Sequence, residues 1–198
     1  PEALQISLTY RCNLKCRVCR LKQLLPQEEE LSLAQLPRLG NEAASLGIKE
    51  VILTGGEPLL REDFFELCRV FRSCLLKTIV TTNGALIDRA CARELAACGV
   101  NHVHFSVDGL QGVHDFLRGP GTFEKITQAI GYLNELRSSG HFFSLGVACT
   151  VMDCNVGELS GIAQWADDLK VDIINFQALM RDNADFSAPG PSGPVLAR

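Results

Sequence analysis

Cys12, Cys16 and Cys19 fall within one short stretch, CNLKCRVC, separated by three and then two residues. Thiolates spaced this closely can turn toward one centre from a single loop, and soft sulfur ligands select iron–sulfur clusters, zinc or Cu(I). The next cysteine is Cys68, so no fourth thiol stands nearby to close a structural site. Three ligands and one open position are the arrangement of a reactive centre. Lys15, Arg17 and Arg20 surround the thiols and favour their ionised form. Two plainer readings stay open on spacing alone: three buried cysteines that happen to be neighbours, and a zinc site with three thiolate ligands.

Further polar groups stand where expected strands end. Thr54-Gly55-Gly56-Glu57-Pro58 carries two glycines that let the backbone approach a ligand closely, and a proline that ends the strand. A simple strand-to-helix turn explains the same residues. Thr81-Thr82-Asn83-Gly84 and Ser106-Val107-Asp108-Gly109 follow two later strands. Ligands in parallel α/β folds gather at the carboxyl ends of strands, so Thr81 and Asn83 are placed to reach one; a capping turn is the alternative. Arg118, in RGPG, offers a guanidinium that matches a carboxylate, or else is an exposed loop arginine.

The elements that must position these residues alternate. Strands are expected at Leu4–Thr9, Glu50–Thr54, Lys77–Thr82, His102–Val107, Phe143–Val151 and Asp172–Ala178. Helices are expected at Leu33–Leu46, Glu62–Arg72, Asp88–Cys98, Thr122–Ser138 and Val156–Leu169. Ser32 and Asp88 serve as N-caps, and Gly47, Gly99 and Gly140 as C-terminal stops, with Pro37 pushing the first helix to start later. Such an order implies a parallel sheet with right-handed crossovers. The strands also alternate in character. Leu4, Ile6 and Leu8 oppose Gln5, Ser7 and Thr9; Val103, Phe105 and Val107 oppose His102, His104, Ser106 and Asp108; Ile174 and Phe176 oppose Asn175 and Gln177. One bulky apolar face and one small or polar face suit a curled sheet, with helices outside and a polar hollow inside. The expected fold is α/β, a partial (β/α)6 TIM-like barrel of parallel strands. Val51, Ile52 and Leu53, apolar on both sides, fit this less well.

The chain has 198 residues, with 19 Lys+Arg against 23 Asp+Glu, for a net charge of −4. Mild acidity argues against non-specific nucleic-acid binding. No apolar run is long enough for a membrane span and no signal peptide opens the sequence, so a cytoplasmic setting is expected. A chain of this length can bury a core without disulfides, yet it carries nine cysteines, an odd number. Cys68, Cys74, Cys91, Cys98, Cys149 and Cys154 read mostly as small buried hydrophobes, with an auxiliary cluster as the alternative. Trp165 is expected in the core, and His102 and His104 in the hollow. Residues 1–180 form the expected domain; 181–198, rich in proline and glycine, read as a disordered tail or linker.

The segments ISLTYRCNLKCRVC, VILTGGEPLLRED, TTNG and SVDG together resemble the radical SAM superfamily, in the branch of the molybdenum-cofactor GTP cyclase and the SPASM-type peptide maturases. The resemblance runs from Leu4 to about Leu179 and implies the same partial barrel. It further implies a [4Fe–4S] cluster on Cys12, Cys16 and Cys19, with S-adenosylmethionine (SAM) on the fourth iron. Gly55, Gly56 and Glu57 would meet the methionine amino group or hold its turn, Asn83 the adenosyl moiety, Ser106 and Asp108 the ribose or carboxylate, and Arg118 the methionine carboxylate. The implied oxidoreductase chemistry is reductive cleavage of SAM to a 5′-deoxyadenosyl radical, which takes hydrogen from an unidentified substrate, a peptide or a small metabolite. The electron would come from a donor such as a flavodoxin or ferredoxin.

The chain departs from that pattern in three places. Val18 stands where an aromatic residue usually packs on adenine, strand five lacks Gly-x-Ile-x-Gly-x-x-Glu, and the sequence stops soon after strand six. A non-catalytic zinc or iron–sulfur module is therefore the second reading, and an ordinary nucleotide-binding α/β domain a third, although no Gly-x-x-x-x-Gly-Lys motif supports it.

Overall fold

The computed structural model describes residues 2–19, 30–178, 189–190 and 193–194. Six parallel strands lie side by side in chain order: β1 Ala3–Ser7, β2 Glu50–Thr54, β3 Lys77–Thr82, β4 His102–Ser106, β5 Ser144–Val151 and β6 Ile173–Ala178. Helices α1 Leu36–Ser45, α2 Phe64–Ser73, α3 Arg89–Cys98, α4 Gln111–Arg118, α5 Thr122–Ser138 and α6 Leu159–Asp168 connect them. The sheet is a half-barrel with the helices outside, as the alternation predicted. Its outward residues Ile6, Val51, Leu53, Val80, Val103, Phe105, Leu145 and Val147 are buried beneath Phe64, Leu67 and Phe71 of α2, Leu95 of α3 and Ile126, Ile130 and Leu133 of α5. Ile52 instead faces the hollow, which explains why β2 is apolar on both sides. Cys68, Cys74, Cys98 and Cys149 are buried in the core as small apolar groups.

Several boundaries move for local reasons. The first helix begins at Leu36, with Pro37 in its opening turn; Ser32 and Gln35 close a separate turn in which the Ser32 N–H donates to Gln35 Oε1 at 2.8 Å. Asp88 does cap its helix, accepting from the Cys91 N–H at 2.7 Å, and Gly99 ends it at φ +85°. The last expected helix opens as a 3-10 turn at Val156–Glu158. Helix α4, which buries Val113, His114 and Leu117, went unforeseen between the fourth strand and the long helix. Trp165 is half-buried and packs against the core, its ring 5.0 Å from that of Phe123. Of the expected tail, only an antiparallel pair is described, β7 Pro189–Gly190 with β8 Gly193–Pro194; the remainder, like Arg20, lies outside the described residues. Among the described residues, no helix is long and apolar enough to cross a membrane.

Three histidines tie this fold to pH. Burial lowers the His114 imidazole to about 4, and burial also lowers His102 and His104. The unfolded chain takes up these protons near pH 6.5, whereas the folded chain resists them. The stability they contribute is therefore present above about pH 6.5 and is lost as pH falls toward 4, on the order of 3 kcal/mol for His114 alone. Urea unfolding at stepped pH is expected to show a midpoint falling steadily from pH 7 to pH 4.5.

Candidate functional site

The cysteine loop leaves the carboxyl end of β1 and is held on two sides. On the first, the end of β2 runs beside it. The Gly56 N–H donates to the Thr9 carbonyl at 2.7 Å and the Glu57 N–H to the Arg11 carbonyl at 2.8 Å. A Cβ on Gly55 would lie 2.3 Å from the Thr9 oxygen, and one on Gly56 2.2 Å from the Arg11 oxygen. Gly55 also sits at φ +136°, where side chains are rarely found. The close approach expected of a ligand is thus made first by the protein's own chain. Asn83 adds a third anchor: its Nδ2 donates to Asn13 Oδ1 at 2.8 Å and lies 3.9 Å from Cys12 Sγ. Arg61 clamps the same corner from below, donating to the Leu8 carbonyl at 3.1 Å while pairing with Asp63 at 2.6 Å.

On the second side the loop docks on α4. The Arg17 N–H donates to the Leu117 carbonyl at 2.8 Å and Arg17 Nε to the Phe116 carbonyl at 2.9 Å, with the guanidinium 4.3 Å above the Phe116 ring. Val18 packs in a small cluster with Val113, Leu117 and Met152. Arg17 therefore serves to dock the loop on α4.

Between these supports lies a cavity of about 190 Å3. Its wall includes Cys12, Cys16, Cys19, Gly55, Gly56, Asn83, Ser106 and Arg118, together with Tyr10, Lys15, Val18, Thr54 and Thr81. Eight of the ten residues singled out in the sequence thus meet at one place. The other two, Glu57 and Asp108, are fully buried beside it and bond to protein. Glu57 accepts from the Thr82 hydroxyl at 2.7 Å, the Asn83 N–H at 2.8 Å and the Leu59 N–H at 3.3 Å, tying the ends of β2 and β3 together. Burial raises its carboxyl above the usual carboxylate range despite these donors.

Asp108 accepts from Arg118 Nε at 2.7 Å on one oxygen and from the Thr150 N–H at 2.9 Å on the other. Arg118 closes helix α4 with its side chain only 15% exposed, so it is no loop arginine. Desolvation opposes its charge, but Asp108 holds the guanidinium protonated. Its two terminal nitrogens have no hydrogen-bond partner among the described residues and are available to a ligand in the cavity. Burial pushes the Cys16 thiol up, and Arg118 is the group that pulls it back. For Cys16 the cation that favours the thiolate is thus one distant in sequence.

Asn155, which sequence reasoning passed over, is wholly buried and laces the floor. Its Nδ2 donates to the Asp108 and Thr150 carbonyls at 2.9 and 2.7 Å, and its Oδ1 accepts from the Met152 N–H at 2.7 Å. Asp108→Ala would strand the Arg118 charge and the Thr150 N–H together. A loss of about 3–5 kcal/mol in urea unfolding is expected, with Asp108→Asn losing clearly less.

The donor chemistry fits an iron–sulfur cluster: three soft thiols face one partly enclosed space beside a fixed cation. Among the described residues, no three His, Cys, Asp or Glu groups draw together around a single metal ion. Thr54 and Thr81 belong both to the cavity wall and to that of the barrel hollow, a space of about 870 Å3. That hollow is lined by Gln5, Ile52, Ile79, His102, His104, Ser144, Ala148, Asn175 and Gln177, among others, so both histidines lie where the alternation put them.

Residues 6–149 match the family model of the radical SAM superfamily. The Fe-coproporphyrin III synthase of Methanosarcina barkeri is 32% identical over 176 residues, covering 88% of this chain and 43% of that protein. The GTP 3′,8-cyclase of Caulobacter vibrioides is 31% identical over 189 residues, covering 92% of this chain and 53% of that protein. The chain thus spans about half the length of these curated relatives. In three dimensions it resembles Streptococcus suis SuiB, with TM-score 0.78 and 20% identity over 93% of this chain and 42% of that one. SuiB is also known with bound S-adenosylmethionine and with its precursor peptide SuiA, both at TM-score 0.77.

Proposed function

Because the chain belongs to the radical SAM superfamily, we propose that its upper cavity binds a [4Fe–4S] cluster and SAM, and that its hollow presents a substrate to the product of their reaction. The observation that carries this reading is the meeting of Cys12, Cys16, Cys19 and Arg118 in the wall of one cavity, which shares Thr54 and Thr81 with the hollow. When bound, the reduced cluster and SAM supply a 5′-deoxyadenosyl radical able to take a hydrogen atom from a substrate. Cys12, Cys16 and Cys19 hold the cluster and leave one iron for SAM. Arg118 meets the methionine carboxylate with its free terminal nitrogens, a geometry suited to guanidinium. Backbone groups at Gly55 and Gly56 meet the amino group, and Asn83 and Ser106 face the adenosyl moiety.

Glu57 and Asp108 act through other groups: Glu57 holds the Asn83 turn, and Asp108 aims Arg118. Val18 gives the cavity an aliphatic surface in the place of an aromatic ring. The protein's part is to orient the cofactor and to keep its reactive product away from water. A flavodoxin or ferredoxin supplies the electron, and the substrate is a peptide or a small metabolite.

The test is anaerobic reconstitution with iron and sulfide, followed by SAM and a strong reductant. Formation of 5′-deoxyadenosine is expected. Zinc near one per chain, no sulfide and no SAM binding would instead establish a non-catalytic metal module.

A further inference from the structure

The hollow is built in layers set by the strand register. At its floor Glu50 and Lys77 are register partners, and their charged groups lie 3.9 Å apart. Above them Gln5 pairs in register with Ile52, Ile79 with His102, and His102 with Ser144. Higher still come His104 beside Gly146, then Ala148 beside Asn175, and Thr150 beside Gln177. The wall from β2 and β3 therefore carries an aliphatic band, Ile52 and Ile79, between the ion pair below and two threonines above. The wall from β4 to β6 offers imidazoles, a hydroxyl and two primary carboxamides.

The histidines are set as neutral hydrogen-bonding groups. His102 Nδ1 lies 2.6 Å from Ser144 Oγ, and its ring meets the His104 ring edge-on at 5.2 Å between centroids. Both pack over Gly146, where a Cβ would come within 2.6 Å of His102 Nε2. The buried His104 Nε2 has no hydrogen-bond partner among the described residues. Burial holds both rings below their usual pKa, so neither is charged near pH 7. Among the described residues that line the hollow, the only cation is Lys77, at the floor and beside Glu50.

We infer that the hollow takes an uncharged substrate portion, a carboxamide- or hydroxyl-bearing group with an aliphatic flank, and that Asn175 and Gln177 read its polar side while Ile52 and Ile79 hold the flank. This rests on the radical SAM reading above and names the chemistry that reading left open. A phosphate- or carboxylate-rich group would instead meet carboxamides and neutral imidazoles, with no cation among the described lining residues except Lys77, which Glu50 already faces. The top of the hollow, where Thr54 and Thr81 meet the upper cavity and Asn175 stands on β6, is where the reacting carbon would sit.

The experiment is anaerobic equilibrium dialysis of the reconstituted, SAM-bound protein against four probes. Two are neutral, N-acetyl-glutamine amide and guanosine; two are anionic, GTP and coproporphyrin III. The neutral probes are expected to bind more tightly, and the better of the two distinguishes an amino-acid-derived source from a nucleoside. Asn175→Leu and Gln177→Leu, both at exposed positions that the fold tolerates, are each expected to weaken that probe about tenfold. Circular dichroism and urea midpoints check that the variants fold. Tighter binding of either anionic probe, neutral binding untouched by both substitutions, or no binding of any probe would overturn the inference. A parent protein that assembles no cluster or binds no SAM would count against the radical SAM reading itself.

Discussion

Cys16→Ala is expected to abolish the brown iron–sulfur absorbance of the reconstituted protein and to reduce 5′-deoxyadenosine formation to the enzyme-free background. Cys16 is the middle thiol of the triad, and its neighbours explain why no other group can replace it. Its sulfur feels Cys12, Cys19, Arg118 and Asp108, the acid and the base being already committed to each other at 2.7 Å. Removal leaves two thiols in the cavity wall, with the next cysteines on other elements. The metal-free chain should hardly notice: the thiol lines a cavity and supports no packed layer, so a change within about 0.5 kcal/mol is expected. Loss of cluster with an unchanged urea midpoint separates a ligand from a structural residue. Retained absorbance would show that Cys16 is not a ligand.

Gly56→Ala is expected to be nearly as severe by a purely steric route. The new methyl would lie 2.2 Å from the Arg11 carbonyl oxygen and 2.9 Å from that of Tyr10, both backbone atoms. Backbone cannot swing aside as a side chain can, so the root of the cysteine loop must shift by about 1 Å. The bonds from Gly56 to Thr9 and from Glu57 to Arg11 are strained together. A destabilisation of about 1–3 kcal/mol is expected from such overpacking, with cluster content after reconstitution falling well below one per chain. Gly112→Ala is the control. A Cβ there meets nothing within 4 Å, and it lies inside α4, so the substitution should be neutral or stabilise by about 0.5–1 kcal/mol.

Much of this was legible in the residues, and what was not has a physical cause. Period-two alternation in β1, β4 and β6 foretold which side chains face the hollow, because a strand's faces are set locally. The Asp88 and Gly99 helix signals worked for the same reason. Helix α4 was missed because it is only eight residues long and its apolar set, Val113, Phe116 and Leu117, is interrupted by His114 and Asp115. Arg118 lines the cavity, yet nothing near it in the chain announces its burial. That follows from Asp108 on β4 and from Asn155 behind it, partners chosen by the fold. Asp108 is expected from sequence to touch ligand, and Glu57 either to touch it or to hold its turn; a carboxylate at a strand end looks the same in sequence whether it faces a cavity or braces the residue that does.

The order of the strands also has a consequence in time. Each strand of the half-barrel pairs with the one made just before it, so the sheet can assemble progressively as the chain emerges. The cysteine loop leaves the ribosome before its supports do. Glu57 and Asn83 come from the second and third strands, and the Leu117 carbonyl and Arg118 from α4. At ordinary elongation rates that delay is about ten seconds. For that interval the three thiols are displayed on a nascent chain without the cation, the turn or the wall that later hold them. Metal delivered early would meet flexible sulfur ligands with no preference for a cluster, so faithful loading belongs after α4 has docked.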